Sequence, residues 1–125
     1  MRRDMDLVRQ ILIIAADEPG YIDSGRLKDR IADNSYSQNQ INYHATIMRE
    51  AGLIDASESV DYIGDTAVTV KGLTWAGQDY LAAVSNDHVW TETKKKIAKA
   101  AQSATLAIIK MTAEAITEAM IKSML

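Results

Sequence analysis

Apolar residues recur at steps of three and four along the first third of the chain, which is the period of an amphipathic helix. The first such helix begins after Asp4, a suitable N-cap, and runs to about Asp17, where the following Glu18-Pro19-Gly20 ends it. Its predicted buried stripe comprises Met5, Val8, Ile11, Leu12 and Ala15, widened by Leu7 and Ile14. A short second helix is predicted from about Ser24 to Asp33, with Leu27 and Ile31 facing inward.

The segment Ser37 to Ile54 predicts the helix around which the rest is organised. Ser37 is a good N-cap, and Ile41, Ala45 and Met48 lie on one helical stripe that we expect to face the core. Gly52 is placed to end the helix with a positive φ. The remaining face of this helix is polar and rich in amides.

After Gly52 the pattern changes to the two-residue period of strands. Residues 53–62 and 66–73 are the two predicted strands, and Gly64-Asp65 forms the hairpin turn between them, with Val68 and Val70 on one face. Thr74 then caps a helix from Trp75 to about Val84, which is expected to bury Trp75 or Tyr80 together with Leu81. Ser85-Asn86-Asp87 ends it.

Beyond Trp90 the chain contains no Gly or Pro, and we predict one helix of about 30 residues and about 45 Å. Apolar residues at alternating steps of four and three form a seam of coiled-coil type on it: Ile97, Ala101, Ala104, Ile108, Met111 and Ala115. Lysines at 94, 95, 96 and 99 crowd its first turns. We expect a homodimer through this seam, although folding of the helix back along its own chain is an open alternative.

The predicted fold is therefore mostly α with a small β hairpin: a winged helix-turn-helix over residues 1–89, followed by a long C-terminal amphipathic helix over residues 90–125. Three separated stretches, MRRDMDLVRQIL, YHATIMREAGLI and LTWAGQDYLAAVSNDHVW, resemble domain of unknown function 2513, found in bacteria and prophages. The resemblance spans most of residues 1–90. It implies a winged-helix fold and a bacterial or phage cytoplasmic setting, and it supplies no catalytic residues.

In a winged helix the central helix can enter a major groove, and its polar face then meets the base edges. The candidates for base contact are Gln38, Asn39, Gln40, Asn42, Tyr43 and His44, among which Asn and Gln suit adenine because they donate and accept together. The candidates for phosphate contact are Arg26, Lys28, Arg30 and Arg49. The first hypothesis is therefore a small DNA-binding regulator of a phage or bacterium, with double-stranded DNA as its partner.

Charge favours a second hypothesis, a winged-helix module that binds a host or phage protein and no DNA. Residues 1–89 carry eight Lys and Arg against fourteen Asp and Glu, a net charge of −6, and residues 90–125 carry six against three, a net charge of +3. The predicted wing bears four acidic residues, at 55, 58, 61 and 65, which DNA phosphates would repel. A DNA-binding domain usually has the opposite balance.

Other function classes have little support in the sequence. The chain has no Cys, and its two histidines, His44 and His88, have no acidic ligands at metal spacing, so we expect no metal or cofactor. No phosphate-binding glycine loop or nucleophile–histidine–carboxylate arrangement stands out, so we expect no enzyme. The charged N-terminus and the absence of an apolar run of about 18 residues predict a cytoplasmic protein with no export signal and no membrane partner.

Overall fold

The computed structural model describes residues 1–60, 62–100 and 105–125. Within these ranges the chain forms α1 (Met5–Asp17), β1 (Ile22–Asp23), α2 (Ser24–Arg30), α3 (Gln38–Glu50), β2 (Ile54–Val60), β3 (Thr66–Leu73), α4 (Trp75–Val84), α5 (Asp87–Lys99) and α6 (Leu106–Ser123). The protein is mostly α with one small antiparallel sheet, as predicted. It divides into two compact units, Met1–Gln78 and Asp79–Leu125, and the predicted domain boundary after residue 89 falls inside the second.

The first unit is built on three helices that pack pairwise against one another. The side chain of Asp4 accepts from the backbone N–H groups of Asp6 and Leu7, so α1 begins where the N-cap predicted. The predicted inward residues of the three helices are buried, apart from the half-exposed Met5. The second helix ends at Arg30, earlier than predicted, and Ile31 at its C-cap is still buried.

The sheet has the strand order β1-β3-β2, with both neighbours antiparallel. Sequence analysis missed β1, which is only two residues long and places Ile22 opposite Val70. Ile22 is buried, and Asp23 next to it accepts from the N–H of Arg26 to cap α2. The short strand therefore ties the start of α2 to the hairpin.

The hairpin follows α3 directly. Gly52 has φ +77°, as its predicted role at the end of α3 requires, and Gly64 in the turn between β2 and β3 has φ +91°. Val68 and Val70 on β3 are buried, so the predicted inner face of the second strand is confirmed.

Helix α4 begins in close contact with the chain that leaves α3. The Thr74 hydroxyl accepts from the N–H of Gly77 at 3.1 Å and donates to the carbonyl of Gly52, while its N–H donates to the carbonyl of Leu53 at 3.0 Å. Tyr80 is buried and Trp75 is 85% exposed, which decides between the two aromatic residues that the pattern allowed.

The second unit contradicts the prediction of a single C-terminal helix. Helix α5 is capped by the Asn86 side chain and ends at Lys99, α6 begins after Thr105, and the two helices pack against each other. Their buried residues are Val89, Trp90 and Thr93 on α5, and Ile109, Ala113 and Ile116 on α6. The sequence offers no Gly or Pro at this break, so the helical period gave no sign of it.

Because the chain forms two helices here, the predicted seam does not run along one helix axis. Ile97 lies on α5 and is half-buried, whereas Ile108, Met111 and Ala115 lie on α6. Met111 is 70% exposed, and Ala115 is exposed as well. Ala101 and Ala104 lie outside the described residues.

Candidate interaction surface on α3 and the hairpin

Helix α3 is held at its N-terminus by a capping box. The Ser37 hydroxyl accepts from the N–H of Gln40 at 3.1 Å, and the Gln40 side-chain oxygen accepts from the N–H of Ser37 at 2.8 Å. Ile41, Ala45 and Met48 are at most 2% exposed, so the predicted inward stripe is confirmed. Gln40, a predicted base contact, has its side-chain oxygen committed to the cap.

His44 is buried and is not the surface contact that the sequence suggested. It is 1% exposed, and its Nε2 accepts from the backbone N–H of Asp4 at 2.8 Å. This leaves the ring proton on Nδ1, which donates to the carbonyl of Gln40 at 2.7 Å. His44 therefore joins α3 to the start of α1 and cannot reach a ligand from this position.

Two further predicted base contacts form a chain of amides across the unit. The Gln38 side-chain nitrogen donates to the carbonyl of Ser24 and to the side-chain oxygen of Asn42, both at 2.9 Å. The Asn42 nitrogen donates in turn to the carbonyl of Thr66 at 2.9 Å. These bonds link α2, α3 and β3, so the two amides position the helix relative to the hairpin.

A second link between α3 and the hairpin runs from Thr46 to Glu58. The Thr46 hydroxyl donates to the Glu58 carboxylate at 2.7 Å. This bond turns one acidic side chain of β2 toward the outer side of α3. Sequence analysis did not identify Thr46, whose only signal was its position two residues past His44 on the polar side of the helix.

The predicted residues that α3 leaves accessible are few. Asn39 and Arg49 are exposed, and Tyr43 is half-buried with its ring edge-on to His44 at 5.6 Å between centroids. Glu50 is exposed near the end of the same helix. The exposed side chains of α3 are therefore one amide, one cation and one carboxylate, while Gln38, Gln40 and Asn42 are half-buried like Tyr43.

The predicted phosphate contacts on α2 are partly neutralised by one carboxylate. Glu18 lies 2.6 Å from the Arg30 guanidinium and 3.5 Å from that of Arg26, and its side chain is only 12% exposed. Lys28 is half-buried, and Arg49 lies on α3. Two of the four predicted cations, Arg26 and Arg30, are therefore engaged by Glu18.

The hairpin is acidic along its strands and apolar near its turn. Asp55, Glu58 and Asp65 are exposed, and Asp61 lies outside the described residues. Three apolar side chains near the turn are largely exposed: Val60 at 65%, Ile63 at 75% and Tyr62 at 102%. Sequence analysis noted the acidic residues and missed this apolar tip, although the run of apolar residues next to Gly64 was its signal.

A separate cavity of about 300 Å³ is lined by Asp6, Gln10, Ile31, Ala32, Asp33 and Tyr36. Partial burial raises the pKa of Tyr36, whose hydroxyl donates to Asp4 at 2.8 Å and is surrounded by further carboxylates. Hydrogen bonds from Ser35 lower the pKa of Asp33.

Within the described ranges no group of three or more His, Cys, Asp or Glu side chains is arranged to hold a metal ion.

The second unit carries most of the lysines. Lys94 lies over the ring of Trp90 at 5.7 Å, and Lys95 is 3.4 Å from Glu92.

A groove of about 760 Å³ lies between the end of α4 and α6, and it is lined by Asp79, Ala82, Ala83, Lys110, Glu114, Thr117, Glu118, Ile121, Lys122 and Leu125. None of the helices traced in the described residues is both apolar enough and long enough to span a bilayer.

Comparison with known proteins assigns the family. Residues 2–103 match the family described as hypothetical protein (DUF2513), and the chain belongs to it. A protein of Haemophilus influenzae with the name "Uncharacterized protein" is 28% identical over 123 residues, which cover 97% of this chain and 99% of that protein.

Proposed function

We propose that the first unit is a winged-helix module that binds a protein partner with a basic surface. The two elements that a winged helix uses for recognition are the third helix and the hairpin. Residues 38–73, which contain both, carry Arg49 and Lys71 against five acidic residues, a net charge of −3. The observation that carries the proposal is this acidic surface together with the exposed apolar tip of Val60, Tyr62 and Ile63.

Physical chemistry favours protein over nucleic acid for such a surface. Phosphate neutralisation by Lys and Arg supplies most of the affinity of DNA-binding proteins, and the hairpin would bring carboxylates to the phosphates instead. An exposed apolar patch instead marks a site of protein interaction, and Tyr is among the residues that supply most of the binding energy once such a site is covered by its partner. Carboxylates around them favour a basic partner and speed its association.

Capture from a nuclease-treated bacterial lysate tests this proposal. Immobilised wild-type protein is compared with a Tyr62→Ser/Ile63→Ser variant, which removes the apolar tip. Met124→Ser is the matched control, since it removes a similarly exposed apolar side chain from the second unit. We expect a basic protein that wild type and control retain and the tip variant loses. Equal retention by all three proteins would contradict the proposal.

Double-stranded DNA is a second candidate, favoured by the exposed Asn39 and Arg49 on a helix that follows two others and precedes a hairpin. In that case the protein is a small transcriptional regulator in the cytoplasm of a bacterium or a phage host. Titration of labelled duplex at about 50 mM and about 200 mM salt tests it, because phosphate contacts make affinity fall steeply with salt. Absence of binding at the lower salt, or Asn39→Ala/Arg49→Ala binding as well as wild type, would oppose DNA recognition.

We further propose that the chain forms a homodimer through α6. Ile108, Met111, Ala115 and Ala119 recur at steps of three and four on a side of α6 other than that of the buried Ile109, Ala113 and Ile116. A helix with two apolar faces is usually covered on both. Alanine on the outer face permits close approach of a second helix.

A further inference from the structure

The β2 strand is the longer of the two edge strands that the sheet has within the described residues. Within the described ranges it pairs with β3 alone, through seven residues from Ile54 opposite Leu73 to Val60 opposite Thr66. The other edge of β3 is occupied by β1 next to Val70 and Thr69. An edge strand presents unpaired backbone donors and acceptors that can bind an extended chain.

The side chains of β2 leave this edge accessible and give it a charge. Ile54 and Ala56 are buried, while Asp55, Ser57 and Ser59 are exposed on the opposite face. Glu58 belongs to the same face of β2 as Ile54 and Ala56, where it accepts from Thr46 of α3 and remains exposed. The register shifts between Asp55 and Ala56, but the extra residue, Lys71, lies on β3, so the alternation along β2 continues. Because residues three apart in a strand face opposite ways, Asp55 and Glu58 place one carboxylate on each side of the same edge.

We propose that β2 binds an extended basic segment of the partner protein as a fourth strand of the sheet. This inference rests on the proposed protein-binding function and names the part of the surface and the chemistry of its ligand. The bound segment carries Lys or Arg at two positions three residues apart, one opposite each carboxylate. An apolar residue at its end contacts Val60 and Tyr62, which are 65% and 102% exposed.

Charge selects this occupant over a second copy of the chain. The hairpin sequence from residue 54 to residue 73 contains four acidic residues and one lysine, Lys71. Pairing of β2 with the β2 of another copy would bring two sets of carboxylates to one edge, where they repel. Lys or Arg side chains on a strand from another protein would instead pair with Asp55 on one face of β2 and with Glu58 on the other.

Capped synthetic peptides test the proposal on the full-length protein. The probe is a heptapeptide of alternating Val and Thr with Lys at its third and sixth positions. A second peptide has Glu at both positions, and a third keeps the lysines but is N-methylated at alternate residues, which removes its backbone donors. Binding is measured by amide NMR shifts and by hydrogen exchange of residues 54–60.

We expect the lysine peptide to slow exchange within β2, and the Glu and N-methylated peptides not to bind. Asp55→Lys should weaken binding about tenfold, whereas Asp79→Lys, an exposed change outside the hairpin, should not. Equal binding of the N-methylated peptide, shifts confined to α5 and α6, or no binding at about 1 mM would overturn strand addition. Tip-dependent capture from lysate combined with any of these results would leave the proposed function standing without this inference.

Discussion

At the scale of single residues, His44 is the side chain whose role differs most from its sequence signal. It follows four amide residues within the helix, so the sequence pattern assigned it to the polar face. Its burial results from the packing of the start of α1 against α3. The Asp4 backbone N–H reaches Nε2 over forty positions of sequence, a contact that no helical period encodes. Sequence alone could therefore identify the polar face of α3 but not which of its members the protein itself uses.

His44→Ala should destabilise the first unit, because it leaves the N–H of Asp4 without its partner, removes the side-chain bond to the carbonyl of Gln40 and opens a small cavity. We expect a loss of about 1–3 kcal/mol in the free energy of unfolding, measured by urea denaturation. His88→Ala is the control, since His88 is exposed, and it should change stability by less than about 0.5 kcal/mol. Similar effects of the two changes would contradict the role assigned to His44.

Tyr36 should make stability fall with rising pH. Burial and the bond to Asp4 raise the pKa of its hydroxyl, so the folded protein holds the proton that the unfolded chain loses near pH 10. The stabilising contribution is present below that pH and is lost as pH rises toward the folded value.

Tyr36→Phe should therefore show a shallower loss of stability above pH 10 than wild type in urea titrations at a series of pH values. Tyr21→Phe, at a tyrosine that is 65% exposed, should keep the wild-type slope. If Tyr36→Phe also keeps the wild-type slope above pH 10, Tyr36 does not carry this pH dependence.

At the scale of elements, the caps and the breakers determined what could be predicted. Ser37 and Gly52 fixed α3, and Asp4 fixed the start of α1, because each acts through its immediate neighbours. β1 was missed since two residues form no period, and its pairing with β3 is a tertiary contact. The end of α5 was missed because an alanine-rich sequence without Gly or Pro favours helix throughout.

The junction of α4 with the end of α3 depends on the absence of a side chain at Gly77. A Cβ built there would lie 1.9 Å from the backbone oxygen of Leu53, which cannot move without displacing the start of β2. Gly77→Ala should therefore cost about 1–3 kcal/mol by denaturant titration, although alanine favours helix by itself.

Gly20→Ala is the matched control, because a Cβ at Gly20 meets nothing within 4 Å. Its stability should stay within about 0.5 kcal/mol of wild type. A Gly77→Ala protein as stable as this control would mean that α4 does not approach Leu53 so closely in solution.

At the scale of the whole molecule, opposite charges are divided between the two units. Residues 1–78 carry eight Lys and Arg against twelve Asp and Glu, a net charge of −4, and residues 79–125 carry six against five, a net charge of +1. The acidic unit holds the proposed recognition surface, and the other unit holds α5 and α6. This division separates partner binding from self-association, so each should be removable without the other.

Met111→Glu should abolish dimer formation while leaving partner binding intact. The side chain is 70% exposed, so a carboxylate there is solvated in the monomer but would be buried without a counter-charge between two α6 helices. Light scattering should give twice the monomer mass for wild type and the monomer mass for the variant. Ala98→Glu, on the exposed side of α5, is the control and should remain dimeric. A monomeric wild type at about 100 μM would mean that the chain does not self-associate, since a dimer of ordinary stability is fully formed at that concentration. A dimeric Met111→Glu would mean that the chain self-associates through a different surface.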